Sequence, residues 1–143
     1  MGEIVTNDVA QYIAQYVVPE GSWPAKYRGF SKKSIPSQGG GDPEIMYEHK
    51  WEVFVGEKSY KETCLSKLVY TEKNRLGQII RVLAGKKLAD QEGVDLDSLI
   101  GKTAVLVFKE KGDGVRTKIS DVLQYHTGVQ TIRIYTDGPA QAV

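Results

Sequence analysis

Residues 44 to 55 alternate between mostly apolar and mostly polar side chains, with a period of two. One face carries Ile45, Tyr47, His49, Trp51, Val53 and Val55, and the other carries Met46, Glu48, Lys50, Glu52 and Phe54. This period is typical of a β-strand that covers a core with one face. We therefore predict that Tyr47 and Trp51 belong to the core, and that they exchange roles with Phe54 only if a bulge shifts the alternation.

Other strand-like runs surround this segment. We predict strands over residues 25–33 and 59–68, and a hairpin over residues 102–123. The turn of the hairpin is predicted at Gly112-Asp113-Gly114, because Asp-Gly between two apolar runs tolerates the positive φ angles of tight turns. A sixth strand is predicted over Val129–Tyr135.

Two segments have the period of a helix instead. In residues 8–18, apolar side chains recur at helical spacing behind a cap at Asn7 or Asp8. A second helix is predicted over residues 72–84, with Thr71 as its N-cap and Gly85 after its end. Its apolar stripe consists of Leu76, Ile79, Ile80 and Leu83. A single helical turn is predicted over residues 95–101.

The order of these elements is three strands, a helix and a hairpin. It predicts an all-β fold with accessory helices: a five-stranded OB-like Greek-key barrel with a helix between strands 3 and 4. We expect residues 1–143 to form a single domain. Within it, residues 1–21 form an N-terminal helical extension, residues 22–124 the OB-like barrel, and residues 125–143 an extra strand and tail.

Composition adds few constraints. The chain has 143 residues, of which 41% are hydrophobic and 26% charged, as is usual for a globular protein. Cys64 is the only cysteine, so an internal disulfide is impossible. No Lys or Arg precedes Lys26 and no apolar run is long, so we expect a cytoplasmic protein with neither a secretory signal nor a membrane partner.

Four short segments carry a resemblance to a known family: Val18-Pro-Glu-Gly21, Leu68-Val-Tyr-Thr-Glu72, Asp97-Ser-Leu-Ile-Gly-Lys102 and Lys118-Ile-Ser-Asp-Val-Leu123. With them, the region 18–123 resembles the small OB-fold single-stranded-DNA-binding proteins of bacteriophages and bacteria. The resemblance implies that a ligand lies across strands 2 and 3, between the loops that join strands 1–2 and 4–5. Those loops map onto residues 31–43 and 109–116.

A single-stranded ligand needs cations for its phosphates and flat side chains for its bases. Phe30 and Phe54 are predicted to share strand faces with Lys26, Arg28 and Lys50, and Tyr60 is a third stacking candidate. The predicted nucleic-acid-binding residues are Lys26, Arg28, Phe30, Lys32, Lys33, Lys50, Phe54, Tyr60, Lys109, Lys111, Arg116 and Lys118. The alternative interpretation is that the aromatic residues belong to the core and the lysines only solvate the surface.

Other chemistry has little support. The triplet 39–41 lacks the Gly-Lys-Ser/Thr ending of a phosphate loop, and we interpret it as a flexible loop. His49, His126 and Cys64 lack the paired spacing of zinc ligands. The acidic residues of 90–97 lack the pattern of an EF-hand, and no Gly-x-Ser-x-Gly elbow occurs. We therefore predict no catalytic residues, no metal and no cofactor.

The predicted function is non-enzymatic binding of single-stranded nucleic acid, taken as DNA from the resemblance, in replication, recombination or repair, and a phage origin fits the resemblance. The net charge is only +1, which favours an alternative: a protein-interaction or assembly module of a phage or bacterial complex. In that case the Val129–Tyr135 strand would pair with another copy or with a replication or recombination protein. A hydrolase or nuclease has the weakest support.

Overall fold

A computed structural model of the protein describes residues 7–112 and 114–125. Its elements are α1 (Val9–Tyr16), β1 (Gly21–Ile35), β2 (Glu44–Val55), β3 (Lys58–Ser66), α2 (Arg75–Ala84), a short 3-10 helix (Leu96–Leu99), β4 (Thr103–Glu110) and β5 (Thr117–Gln124). The strands form one antiparallel sheet in the order β3-β2-β1-β4-β5. The predicted order is confirmed, including the helix between the third and fourth strands.

β3 and β5 stand at the two ends of this sheet. No pairing joins them within the described residues, so closure into a barrel stays a prediction. Helix α2 packs against both strands. Its Arg75 donates from Nη2 to the carbonyl oxygens of Ile119 (3.5 Å) and Ser120 (3.4 Å) in β5. The helix therefore contacts both edges of the sheet.

A β-bulge interrupts β1 between Tyr27 and Gly29. Tyr27 pairs with Trp51, and Phe30 pairs with His49 two residues earlier in β2. Because the bulge adds one residue to β1, Tyr27 and Phe30 lie on the same face although they are three positions apart. The prediction that Phe30 shares a face with Lys26 and Arg28 is therefore wrong.

The core lies on the face of the sheet that α2 covers. Trp51 is buried as predicted, and Tyr47 is half-buried against the same core. The four apolar residues of the α2 stripe are also buried, which confirms the predicted helix face. Five consecutive residues of β4 (104–108) are buried, so this strand is covered on both of its faces.

Helix α2 begins three residues later than the sequence predicted. Its N-cap is Asn74, whose side chain accepts a hydrogen bond from the Gly77 amide at 2.8 Å. Thr71 lies one turn earlier and accepts from the Asn74 amide at 3.1 Å. Both polar side chains thus accept a backbone hydrogen bond at the start of the helix, but only Asn74 is the N-cap. Gly85 ends the helix in the left-handed conformation, as predicted.

Helix α1 lies outside the core. None of its residues is buried, whereas Val17 and Val18 directly after it are. Lys58 of β3 donates to the Ala14 carbonyl at 2.6 Å, and the Thr117 hydroxyl donates to the Val18 carbonyl at 2.6 Å. Ala14 near the end of α1 therefore contacts β3, and Val18 just after the helix contacts β5.

Some predictions fall on residues outside the described ranges. These are Asp113 in the hairpin turn, His126, the Val129–Tyr135 strand and the remaining tail. Within the described residues, no helix is long and apolar enough to cross a membrane.

Candidate nucleic-acid interface

The face of β1, β2 and β3 opposite the core carries most of the predicted cations of the sheet. On this face Lys26 of β1 lies opposite Glu52 of β2 in the strand register, and Glu52 lies opposite Lys61 of β3. A groove of about 460 Å³, which we call the outer groove, is lined by Arg28, Lys50, Glu52, Lys61 and Thr63, and also by Trp51 and Glu62, which belong to the core face by their register. Its volume is large enough for a planar group of the size of a nucleobase.

The cations on this face differ in what they contact. Arg28 forms an ion pair with Glu52, donating from Nε at 2.9 Å, and Lys33 pairs with Glu48 at 3.2 Å. Lys26, Lys50 and Lys61 form no ion pair with any residue of the described ranges. Within the described part of the chain these three ammonium groups are open to an anionic ligand, and we call them the free lysines.

Only one of the three predicted aromatic residues lies on this face. Phe54 is half-buried there, opposite Ser59. Phe30 turns inward, and its ring lies 5.5 Å from the Tyr47 ring in an edge-on arrangement. Tyr60 pairs with Val53 on the core side. Of the stacking candidates, Phe54 alone lies on the same face as the free lysines.

Lys32 and Lys33 lie within β1 rather than in a loop. The strand continues to Ile35, so the loop that joins β1 and β2 covers residues 36–43 and not 31–43. Lys32 is exposed opposite Tyr47, and Lys33 lies opposite Met46. Since neighbouring strand residues point to opposite faces, the two lysines diverge, and only Lys33 lies on the side of the outer groove.

A second basic group lies on the β4–β5 hairpin. We call Lys109, Lys111, Arg116 and Lys118 the hairpin cluster; all four are exposed. Lys109 lies directly opposite Lys118, and the Lys111 amide donates to the Arg116 carbonyl at 2.8 Å. β4 continues to Glu110 and β5 begins at Thr117, so Lys109 lies within a strand and not in the predicted loop 109–116.

The two basic groups are separated along the sheet. Lys26 pairs with Thr103, and Lys109 lies six residues further along β4, which corresponds to about 20 Å. Val105 and Val107, on the face of β4 between these positions, are buried. The predicted site residues therefore form two groups rather than one continuous patch.

Beneath the sheet, His49 belongs to a buried polar network. Its Nδ1 lies 2.8 Å from the Tyr27 hydroxyl, and its Nε2 lies 2.7 Å from the Ser66 hydroxyl. Ser66 donates to the Lys67 carbonyl at 3.1 Å, so it accepts from His49 Nε2. Nδ1 then accepts from Tyr27, which defines a neutral imidazole protonated on Nε2.

Burial changes the titration of this network. It lowers the pKa of His49 to about 4, and the positive charge of Arg75 acts in the same direction. Burial also raises the pKa values of the Tyr27 hydroxyl and the Cys64 thiol. The imidazole, the phenol and the thiol are therefore neutral near pH 7. No group of acidic, His or Cys side chains in the described ranges is placed to hold a metal ion.

Sequence reasoning missed several residues of this surface. Lys61 and Thr63 line the outer groove. Side chains alternate along β3, so both residues share a face with Ser59, and the sequence could have shown this. Tyr12 and Tyr16 of α1 are exposed, at an i, i+4 spacing that the sequence already contains.

Chemically, the surface offers the free lysines beside a groove and one half-buried aromatic ring, a combination that can bind a polyanion with planar groups. Neither a scan against protein-family models nor a search of curated proteins gave a match to this chain.

Proposed function

We propose that this protein binds single-stranded DNA through the outer groove, without catalysing a reaction, in replication, recombination or repair. The observation that carries the proposal is the grouping of three free lysines, Lys26, Lys50 and Lys61, beside Phe54 on one face of the sheet. The finer fold assignment, an OB-like barrel, is part of the same proposal. A phage or bacterial setting follows from the sequence resemblance alone.

Phosphate contacts supply most of the affinity in this proposal. Each lysine that neutralises a phosphate of a single strand releases counterions, and log affinity falls by about 0.7 per contact for each unit of log salt. Three free lysines therefore correspond to a slope of about −2. Stacking of a base on Phe54 adds affinity that is nearly independent of salt.

The test is fluorescence anisotropy of a labelled oligothymidine at several salt concentrations. The double variant K50E/K61E should bind at least about tenfold more weakly than the wild type, with a slope reduced by about 1.4. The matched control is K86E/K87E, which reverses two exposed lysines beyond α2. Absence of wild-type binding at low salt, or an equal loss in the control, would refute the proposal.

A second candidate function is an assembly module. It is favoured by β3 and β5, which end the sheet without pairing to each other in the described part of the chain. An unpaired strand edge can accept a strand of another chain. Light scattering of the full chain and of a chain lacking residues 128–143 tests this candidate. A change in the number of copies per particle supports it, and a monomer in both cases counts against it.

A further inference from the structure

Helix α1 exposes two aromatic rings without burying any of its residues. Tyr12 is 48% and Tyr16 58% exposed, and their ring centroids lie 5.2 Å apart. The helix has only eight residues, and helices of this length are marginal in water unless they pack against something. Exposed aromatic pairs with little support from a core are suited to contact a ligand.

The surroundings of the pair indicate which ligand. A cavity of about 180 Å³ is lined by both tyrosines and by Val17, Val18, Glu62, Arg116 and Thr117. Arg116 belongs to the hairpin cluster. Glu62 also lines the outer groove. One residue of the edge strand β3 therefore borders both cavities, and one residue of the hairpin cluster borders the second cavity.

We propose that Tyr12 and Tyr16 form a stacking platform for bases of a single strand that passes from the outer groove, over the edge of β3, to the hairpin cluster. This inference rests on the proposed function. Along β4 the two basic groups are separated by buried residues. The path over β3 and α1 would join them into one binding path.

Charge favours a nucleic acid over an apolar partner. In the hairpin cluster, Lys109, Lys111 and Lys118 form no ion pair with described residues. A polyanion that reaches the tyrosines therefore meets cations at both ends of its path, whereas an apolar peptide would leave them without a partner. Base–aromatic stacking accepts any base, so the platform adds affinity without sequence preference.

Glu62 is the acidic residue that borders both cavities. Burial raises the pKa of its carboxyl group, because the charged form is poorly solvated there. A carboxylate beside a phosphate chain repels it. The variant E62Q should therefore bind long oligonucleotides more tightly than the wild type, by about two- to fivefold, whereas E57Q in the β2–β3 turn should not.

The decisive experiment compares oligothymidines of about 6 and about 16 nucleotides, which span the range of site sizes for one OB-fold. The short strand can occupy the outer groove alone, and the long one can also reach α1. The variant Y12A/Y16A should lose about tenfold or more in affinity for the long strand and keep its affinity for the short one. The salt slope should not change, because no cation is removed.

Two control variants sharpen the result. Q11A/Q15A changes the same helix at the same spacing and should bind like the wild type. Y12F/Y16F keeps the rings and should retain tight binding, which separates stacking from hydrogen bonding by the phenols. Circular dichroism checks that each variant keeps its fold.

The outcomes are distinguishable. Absence of wild-type binding to either strand would overturn the proposed function and the platform with it. Wild-type binding that Y12A/Y16A leaves unchanged on the long strand would overturn the platform alone. An equal loss on both lengths would also overturn it, because the tyrosines would then act on the groove and not beyond it. A change in oligomeric mass without a change in DNA affinity would assign the pair to a contact between copies.

Discussion

The Tyr27 hydroxyl lies 2.8 Å from His49 Nδ1, and both side chains are fully buried. Their rings are tilted at 40° with centroids 5.8 Å apart, so the hydrogen bond forms between two packed rings. This contact links β1 to β2 within the core. With Tyr27 as the donor, this hydrogen bond requires a neutral imidazole, because a protonated one has no acceptor on Nδ1.

The stability of the protein should therefore decrease in mild acid. The pKa of His49 is lowered from 6.5 to about 4 by burial, so the unfolded chain binds more protons than the folded one between these values. The free energy of unfolding is highest above pH 6.5 and falls toward pH 4, with a contribution of about 3 kcal/mol from this group. Urea unfolding at pH 7, 6 and 5 measures the loss.

The control for this prediction is H49Q. Its overall stability should be lower at pH 7, because the network is disturbed, but it should lose less stability between pH 7 and pH 5 than the wild type does. Parallel pH profiles for the two proteins would show that other groups cause the decrease.

Phe30 and Phe54 should respond oppositely to truncation. F30A removes a ring that packs against Tyr47 and the core, so it should destabilise the fold by about 2–4 kcal/mol and leave oligonucleotide affinity unchanged. F54A should reduce binding by about 1–3 kcal/mol with a smaller loss of stability. Urea unfolding and anisotropy on both variants make the comparison, and a reversed pattern would contradict the bulge.

Replacing Gly77 with alanine should destabilise the protein, although this change usually stabilises a helix by about 1 kcal/mol. A Cβ atom at Gly77 would lie 1.7 Å from the Thr71 carbonyl oxygen, so the segment before α2 would have to move. We expect a loss of about 2–4 kcal/mol in thermal or urea unfolding. G93A is the control, because nothing lies within 4 Å of its added Cβ; similar effects in both variants would exclude the close approach as the cause.

Arg75 should act both on stability and on the titration of His49. R75M removes the hydrogen bonds to the carbonyls of Ile119 and Ser120 and should cost about 1–3 kcal/mol. It also removes a positive charge, so the pKa of His49 should rise. NMR titration of the imidazole measures this shift. R75K keeps the charge and should leave the pKa close to that of the wild type; an equal rise in both variants would contradict the electrostatic explanation.

The sequence predicted the order of the strands and helices better than it predicted which side chains share the outer face. The alternation of residues 44–55 placed Trp51 and Phe54 on opposite faces correctly, because β2 is regular along its length. The same reasoning failed for Phe30, because a bulge adds one residue to β1. Every later side chain of this strand therefore points to the face opposite the predicted one. A positive φ at Gly29 accompanies the bulge, but a single glycine does not predict one.

The grouping of the cations could not be predicted from the chain. Lys26 and Lys109 were expected around one groove, yet the register of β1 with β4 places them about 20 Å apart. The choice of Asn74 over Thr71 as the cap of α2 likewise depends on which side chain reaches the Gly77 amide. Both are residue types that cap helices, so composition does not separate them.

The pairing of β1 with β4 also has a consequence for folding. Lys26 pairs with Thr103 and Gly21 with Phe108, so the partners are 77 to 87 residues apart in the chain. During synthesis β1, β2 and β3 can pair early, because short connections join them, whereas the outer edge of β1 stays open until β4 has left the ribosome. Long-range pairing of this kind slows folding and leaves an edge that can aggregate. The second half of this protein therefore completes a sheet that the first half begins.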